Sequence, residues 1–207
     1  MAAPLAIAVA AFGVSFGLLA RAEGWGWAAP IVMSATTFAG SAQFATISVL
    51  GTGGTLAAAI TAALLLNARY APIGISVAPF FEGPAWSRLL HAQLVVDESW
   101  AISAEGHGRF NVRMLIGSGL MLYVAWVGGT ATGALGGEIL ADPQALGLDA
   151  AFPALFLALL VPQIRDLRAL AASLLGASIA LVLTPVAPAG VPIIAAGAAC
   201  LLGLVRR

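Results

Sequence analysis

Two polar residues, Asn67 and Arg69, lie in the middle of the apolar run 56–80. At the centre of a membrane helix an arginine costs about 2.5 to 3.5 kcal/mol on insertion scales, so its presence needs a chemical reason. Its guanidinium either lines a substrate cavity or binds a buried carboxylate, or else it extends to the cytoplasmic interface as a positive anchor. Eleven residues separate Arg69 from Phe80, about 16 Å of helix, and this distance favours the cavity.

A second polar group, Gly40, Ser41 and Gln43, lies in the middle of the run 27–50. Small and polar residues crowd this stretch, and we expect it to interrupt the helix. Irregular backbone at membrane depth is tolerated only where protein or a water-filled cavity covers it. The alternative is that the small residues simply allow helices to pack closely.

The run 56–80 is predicted to break as well, just beyond Arg69, because Pro72, Gly74 and Pro79 follow it. Paired broken helices are a transporter feature, in which the N-termini of the half-helices point at an anionic group such as an amino-acid carboxylate. The two interruptions therefore predict a polar site that could hold an anionic group.

A third group, Asp97 and Glu98, lies in the long segment 81–113. Apolar residues at helical spacing over 89–102 predict an interfacial or partly re-entrant helix there. The two acids either carry protons or contact Arg69, or they are solvated acids on a surface helix. Spacing alone favours solvated acids.

Catalysis is not expected. A serine nucleophile such as Ser41 needs a base within hydrogen-bond reach, but His91 and His107 both lie in the segment 81–113 and no GxSxG or HExxH motif occurs. Neither histidine belongs to a metal-ligand pattern, and Cys200 is the single cysteine. We expect no catalytic residue, no metal and no cofactor.

The composition indicates which elements must position these groups. Hydrophobic residues make up 61% of the 207 residues and charged residues only 9%, against roughly 25% charged in soluble domains. The predicted fold class is an all-α integral membrane protein, a single transmembrane domain over 1–207. About seven apolar runs predict its membrane helices: 4–20, 27–50, 56–80, 114–135, 148–164, 169–186 and 191–205.

The arginines predict the orientation of these helices. Eight of the nine arginines flank alternate loops or the C-terminus, and basic residues beside short loops stay in the cytoplasm. Seven helices with the N-terminus outside and the C-terminus inside satisfy this pattern. No positive charge precedes Arg21, so the first run is expected to be a retained helix and not a signal peptide. Nine acids balance the arginines, so a nucleic-acid partner is not expected.

Glycines recur at four-residue spacing in two of the predicted helices. Gly13 and Gly17 lie in the first, and Gly129, Gly133 and Gly137 in the fourth. This spacing predicts close contacts between helix backbones.

Five segments together carry a family resemblance: Gly13-Val-Ser-Phe-Gly-Leu-Leu-Ala, Met33-Ser34, Phe38-Ala-Gly-Ser-Ala-Gln-Phe44, Asn67-Ala-Arg69 and Asp97-Glu-Ser99. In order and spacing they resemble the AzlC-type permeases, the large subunits of two-component exporters of branched-chain amino acids. The resemblance covers residues 12–102, and the C-terminal half agrees only in hydropathy.

The resemblance implies a permease of the bacterial inner membrane that exports leucine, isoleucine and valine, with methionine as a further candidate, and that works with a small AzlD-type membrane partner. It places seven residues of this chain in family motifs. The candidates for substrate binding are Gly40, Ser41, Gln43, Asn67 and Arg69, and the candidates for coupling are Asp97 and Glu98. The family often has histidine after the arginine, where this chain has Tyr70, which puts a titrating role at that position in doubt.

Export is predicted to be driven by proton entry, with Asp97 or Glu98 in the coupling machinery. Two other function classes stay open. A non-transporting assembly subunit suits the glycine spacings but leaves Arg69 and Gln43 without a role, and an intramembrane enzyme lacks a base.

Overall fold

The computed structural model describes residues 2–106, 108–136, 157, 160–161, 164, 166–187 and 191–199. The chain forms two compact units. One contains Met1–Gln43 and Asn67–Pro143, and the other contains Phe44–Leu66 and Gln144–Arg207. The organisation as one transmembrane domain stays a prediction.

Helices make up most of the described residues. They are α1 (Ala2–Ala22), α2 (Ala28–Thr37), α3 (Gly40–Gly51), α4 (Leu56–Asn67), α5 (Tyr70–Val77), a 3-10 turn (Ala78–Phe80), α6 (Ala85–Gln93), α7 (Asp97–Ser103), α8 (Val112–Gly136), α9 (Leu167–Leu183) and α10 (Val191–Gly197). A short antiparallel ribbon, β1 (Ala104–Gly106) with β2 (Arg109–Phe110), precedes α8.

The all-α membrane fold is confirmed. Within the described ranges, Leu5–Ala22 of α1 and Val112–Gly136 are long and apolar enough to cross a membrane. Leu56–Asn67 and Tyr70–Phe80 reach that length and hydropathy only as a pair, bent by 43°, which is either one broken span or a re-entrant loop. The count of seven helices stays a prediction, because the predicted helix 148–164 and the end of the last run fall mostly outside the described residues.

Both predicted interruptions are present. The second run breaks between α2 and α3, where Phe38 has a left-handed backbone with φ 43°. The third breaks at the turn Ala68–Arg69, slightly earlier than expected. Pro72 explains this position, since it has no N–H to donate to the Ala68 carbonyl and its ring clashes with that group. The Ala68 carbonyl instead accepts from Ala71 N at 3.1 Å.

The glycines of α1 and α8 bring these two helices into backbone contact, as predicted. A Cβ atom added to Gly13 would lie 2.6 Å from the Trp126 carbonyl oxygen. One added to Gly133 would collide with the Val14 carbonyl oxygen, and Gly17 is equally crowded. Gly137 lies outside the described residues.

The prediction of one continuous helix over 89–102 is wrong. The chain forms α6 and α7 instead, with Val96 in an extended conformation between them (φ −124°, ψ 168°). Ser99 stabilises this start of α7, since its hydroxyl oxygen accepts a hydrogen bond from Val96 N at 3.0 Å. Asp97 and Glu98 therefore occupy the first turn of a helix, where carboxylates interact favourably with the helix dipole.

Each unit has a small apolar core. In the first, Val77, Phe81 and Leu115 are buried together. In the second, α3 and α4 pack through small residues, with Ala59 and Ala62 fully buried.

Candidate functional site

Arg69 lies at the centre of the candidate site. Its Nη2 donates to the Ser41 hydroxyl at 3.0 Å and lies 3.0 Å from Oδ2 of Asp97. The structure therefore joins three residues that are 28 positions or more apart in sequence. Asp97 is not an isolated solvated acid, because it is the ion-pair partner of Arg69.

The three side chains come from the beginnings of three helices. Ser41 is in the first turn of α3, Arg69 directly precedes α5, and Asp97 is the first residue of α7. Backbone N–H groups at a helix start have no partner within the helix and carry a partial positive charge. The positive guanidinium close to these helix starts favours an anion.

The ion pair is accessible. The side chains of Arg69 and Asp97 are 36% and 37% exposed, so a small molecule can reach both. The Arg69 guanidinium lies 5.3 Å from the centre of the Tyr70 ring, in cation–π contact. Its Nε has no hydrogen-bond partner among the described residues. A guanidinium has five N–H donors, and Nη2 alone makes both named contacts.

Glu98 is the second acid of the site. It is half-buried and lies outside the helices that qualify as membrane spans. Burial raises the pKa of Glu98, and the neighbouring Asp97 charge adds to this, while the backbone N–H of Glu98 and Arg69 act in the opposite direction. Glu98 therefore holds a proton to a higher pH than an ordinary glutamate does.

Gln43 and Gly40 belong to a buried network beside this pair. The Gln43 amide oxygen accepts from Trp126 Nε1 at 3.0 Å and from Ala39 N at 3.3 Å, and Gln43 Nε2 donates to the Ser34 hydroxyl at 2.9 Å. Gln43 is fully buried and both ends of its amide are engaged. A Cβ atom on Gly40 would lie 3.0 Å from the Trp126 ring. The network holds the α2–α3 break against α8.

Sequence reasoning missed two members of this network on α8. Thr130 hydrogen-bonds the Ser34 hydroxyl at 2.9 Å, and Trp126 supports both Gln43 and Gly40. Both are buried. The sequence feature that could have identified them is their position close to Gly129 and Gly133. Where glycines bring two helices together, the residues close to those glycines also face the neighbouring helix.

Asn67 ends α4, and its Oδ1 is buried without a hydrogen-bond partner in the described part of the chain. Among the described residues, no hydrogen bond joins Asn67 to Arg69, so the assignment of Asn67 to substrate binding stays a prediction. No group of three or more His, Cys, Asp or Glu side chains in the described ranges could hold a metal ion.

The fold and the site define a class. This is a helical membrane protein whose interrupted helices meet at an accessible arginine–carboxylate pair. The family model described as "AzlC protein" matches residues 4–140. The chain belongs to the AzlC family, and the resemblance drawn from the sequence is confirmed.

Relatives of the chain are membrane proteins. It is 32% identical over 182 residues to an "Uncharacterized membrane protein" of Archaeoglobus fulgidus, covering 86% of this chain and 79% of that protein. A similarly titled Helicobacter pylori protein is 26% identical over 157 residues, 74% of this chain and 68% of that protein. The "Branched-chain amino acid transport protein AzlC" of Bacillus subtilis is 28% identical over 154 residues, 73% of this chain and 60% of that protein. No solved structure matches the chain.

Proposed function

We propose that this chain exports branched-chain amino acids across the bacterial inner membrane in exchange for protons, and that the amino acid binds at Arg69. The observation that carries the proposal is the accessible ion pair of Arg69 and Asp97, which with Ser41 brings the starts of three helices together. The kinship to a branched-chain amino acid transport protein supports the choice of substrate.

The substrate carboxylate would bind the guanidinium of Arg69. Charge-assisted hydrogen bonds between arginine and a carboxylate are about twice as strong as neutral ones. The Ser41 hydroxyl and the N-termini of α3 and α5 lie beside this group and add favourable dipoles. Asp97 positions the guanidinium through its contact with Nη2.

The substrate ammonium group would bind Glu98, and this contact would supply the coupling. Only the ionised carboxylate attracts the ammonium group, so a proton on Glu98 opposes binding. Substrate and proton therefore compete for one group, which is the requirement for exchanging one for the other. Because burial raises the pKa of Glu98, the exchange would operate closer to neutral pH than an exposed glutamate allows.

The transport unit we propose has two components. This chain is the large subunit, and a small AzlD-type membrane protein is its partner. The N-terminus lies outside and the C-terminus in the cytoplasm, following the arginine distribution.

The test is counterflow of labelled leucine in vesicles containing the purified exporter. Arg69→Ala should insert normally and abolish flux, whereas Arg69→Lys should retain a small part, because lysine keeps the charge but loses the planar donor arrangement. Arg109→Ala is the matched control, since Arg109 is an exposed arginine on β2.

Normal counterflow in Arg69→Ala would contradict the binding role of Arg69. If the parent protein itself, with its partner present, moved none of the branched-chain amino acids, it would be an assembly subunit and not a carrier.

A further inference from the structure

An apolar cleft of about 490 Å³ lies next to the Arg69 site. One wall is a single face of α5 and the following turn, and the other is a face of α6. Its floor contains Val77 and Phe81, which are 1% and 8% exposed. Among the described residues that line it, Arg88 is the one that carries a charge. The volume lies in the range of about 300 to 1,000 Å³ that small-molecule pockets occupy.

Tyr70 connects the cleft to the charged site. It lines the cleft, and its ring also supports the Arg69 guanidinium at 5.3 Å. A ligand whose carboxylate binds Arg69 can therefore extend its apolar part past Tyr70 into the cleft. We infer that this cleft holds the aliphatic side chain of the transported amino acid, an inference that rests on the proposed function.

Small residues set the width of the cleft. Gly74 and Ala78 line it from the α5 side, and Ala92 lines it from α6. A Cβ atom on Gly74 would meet no other atom within 4 Å, so a side chain added there begins in open space. Gly74 is thus a position at which the cleft can be narrowed.

Substitutions at this position should change selectivity. The measurement is inhibition of labelled valine counterflow by unlabelled leucine, compared with inhibition by unlabelled valine. In Gly74→Val, inhibition by leucine should weaken by roughly tenfold relative to inhibition by valine, because one methylene group in an apolar pocket alters discrimination at least that much. Ala92→Leu narrows the opposite wall and should shift the same ratio. Gly117→Val is the control: Gly117 lies on α8, a Cβ there also meets nothing within 4 Å, and the leucine-to-valine ratio should stay at the parent value.

Chemical protection gives a readout that needs no flux. In Gly74→Cys made on a Cys200→Ser background, leucine should slow labelling by a maleimide, and glycine, which has no side chain to fill the cleft, should not. Labelling of Gly117→Cys should be unaffected by leucine.

The outcomes separate the two proposals. One outcome is that the parent carries leucine, Gly74→Val and Ala92→Leu keep its leucine-to-valine inhibition ratio, and leucine does not protect Gly74→Cys. That outcome overturns this inference and leaves the proposed function standing, with a lipid chain or a partner helix as the better occupant of the cleft. If the parent carries no amino acid, both fail.

Discussion

At the scale of residues, the Arg69–Asp97 pair is better explained by function than by stability. An ion pair exposed to this degree stabilises a protein by only about 0 to 1 kcal/mol. Placing an arginine in an apolar run costs more than that. Tyr70 and Glu98 belong to the same group, since the Tyr70 ring contacts the Arg69 guanidinium and the Arg69 charge acts on Glu98. Such an arrangement suits a ligand that has two opposite charges.

Glu98 should give transport a characteristic pH dependence. Its pKa is raised, first by burial and then by Asp97, so the proton-free form that binds ammonium is lost as pH falls through this raised value. The apparent affinity for cytoplasmic leucine should therefore fall with falling pH. In Glu98→Gln this dependence should disappear together with gradient-driven accumulation, as measured by leucine efflux from vesicles at a series of pH values.

Glu98 should also make the stability of the folded state depend on pH. Because its pKa is higher in the folded state than in the unfolded chain, the folded state binds more protons between the two values. The parent should lose melting temperature relative to Glu98→Gln as pH rises from about 4 through the folded pKa. Glu82→Gln, which alters an exposed glutamate, should show neither effect. An unchanged pH profile in Glu98→Gln would assign the coupling to another group.

At the scale of elements, the contact between α1 and α8 should be sensitive to a single methyl group. In Gly133→Ala the new Cβ would collide with the Val14 carbonyl oxygen, and overpacking of this kind costs about 1 to 3 kcal/mol. Gly128→Ala is the matched control on the same helix, since its Cβ meets nothing within 4 Å. Thermal unfolding in detergent should show a lower melting temperature for Gly133→Ala only. Equal melting temperatures would contradict the tight backbone contact between α1 and α8 at Gly133.

The sequence allowed the breaks to be predicted because their causes are local. Pro72 acts on the carbonyl four residues before it, and the small residues around Gly40 weaken the helix where they stand. The left-handed backbone of Phe38 was not predictable, since a bulky residue disfavours that conformation and only the surrounding contacts stabilise it.

The site was predictable only in part, because its contacts join residues that are distant in sequence. Residue types and motif positions identified Arg69, Ser41 and Asp97, but their contacts depend on how distant helices pack. Spacing alone favoured a solvated Asp97, because nothing local links it to an arginine in another helix. Trp126 and Thr130 were missed because their partners Gln43 and Ser34 lie 83 and 96 residues away.

At the scale of the whole molecule, the arginine distribution predicts the topology. Eight of the nine arginines lie beside alternate loops or at the C-terminus, and basic residues in such positions are retained on the cytoplasmic side. Reporter fusions after Thr55 and after Asp142 should both report an external position, and a fusion after Glu105 should report the cytoplasm. Thr55 directly precedes α4 and Glu105 lies in β1, whereas Asp142 lies outside the described residues. A cytoplasmic signal at Thr55 or Asp142 would overturn the seven-helix topology.

The interrupted helices also predict a second subunit. The half-helix α4 has 12 residues and α2 has 10, about 18 Å and 15 Å of helix, against roughly 30 Å of hydrocarbon. Their ends present backbone groups that protein or a water-filled cavity must cover. We expect a small membrane protein to copurify with this chain and to raise both its melting temperature and its leucine flux. A chain that is monodisperse and fully active alone would exclude a required partner.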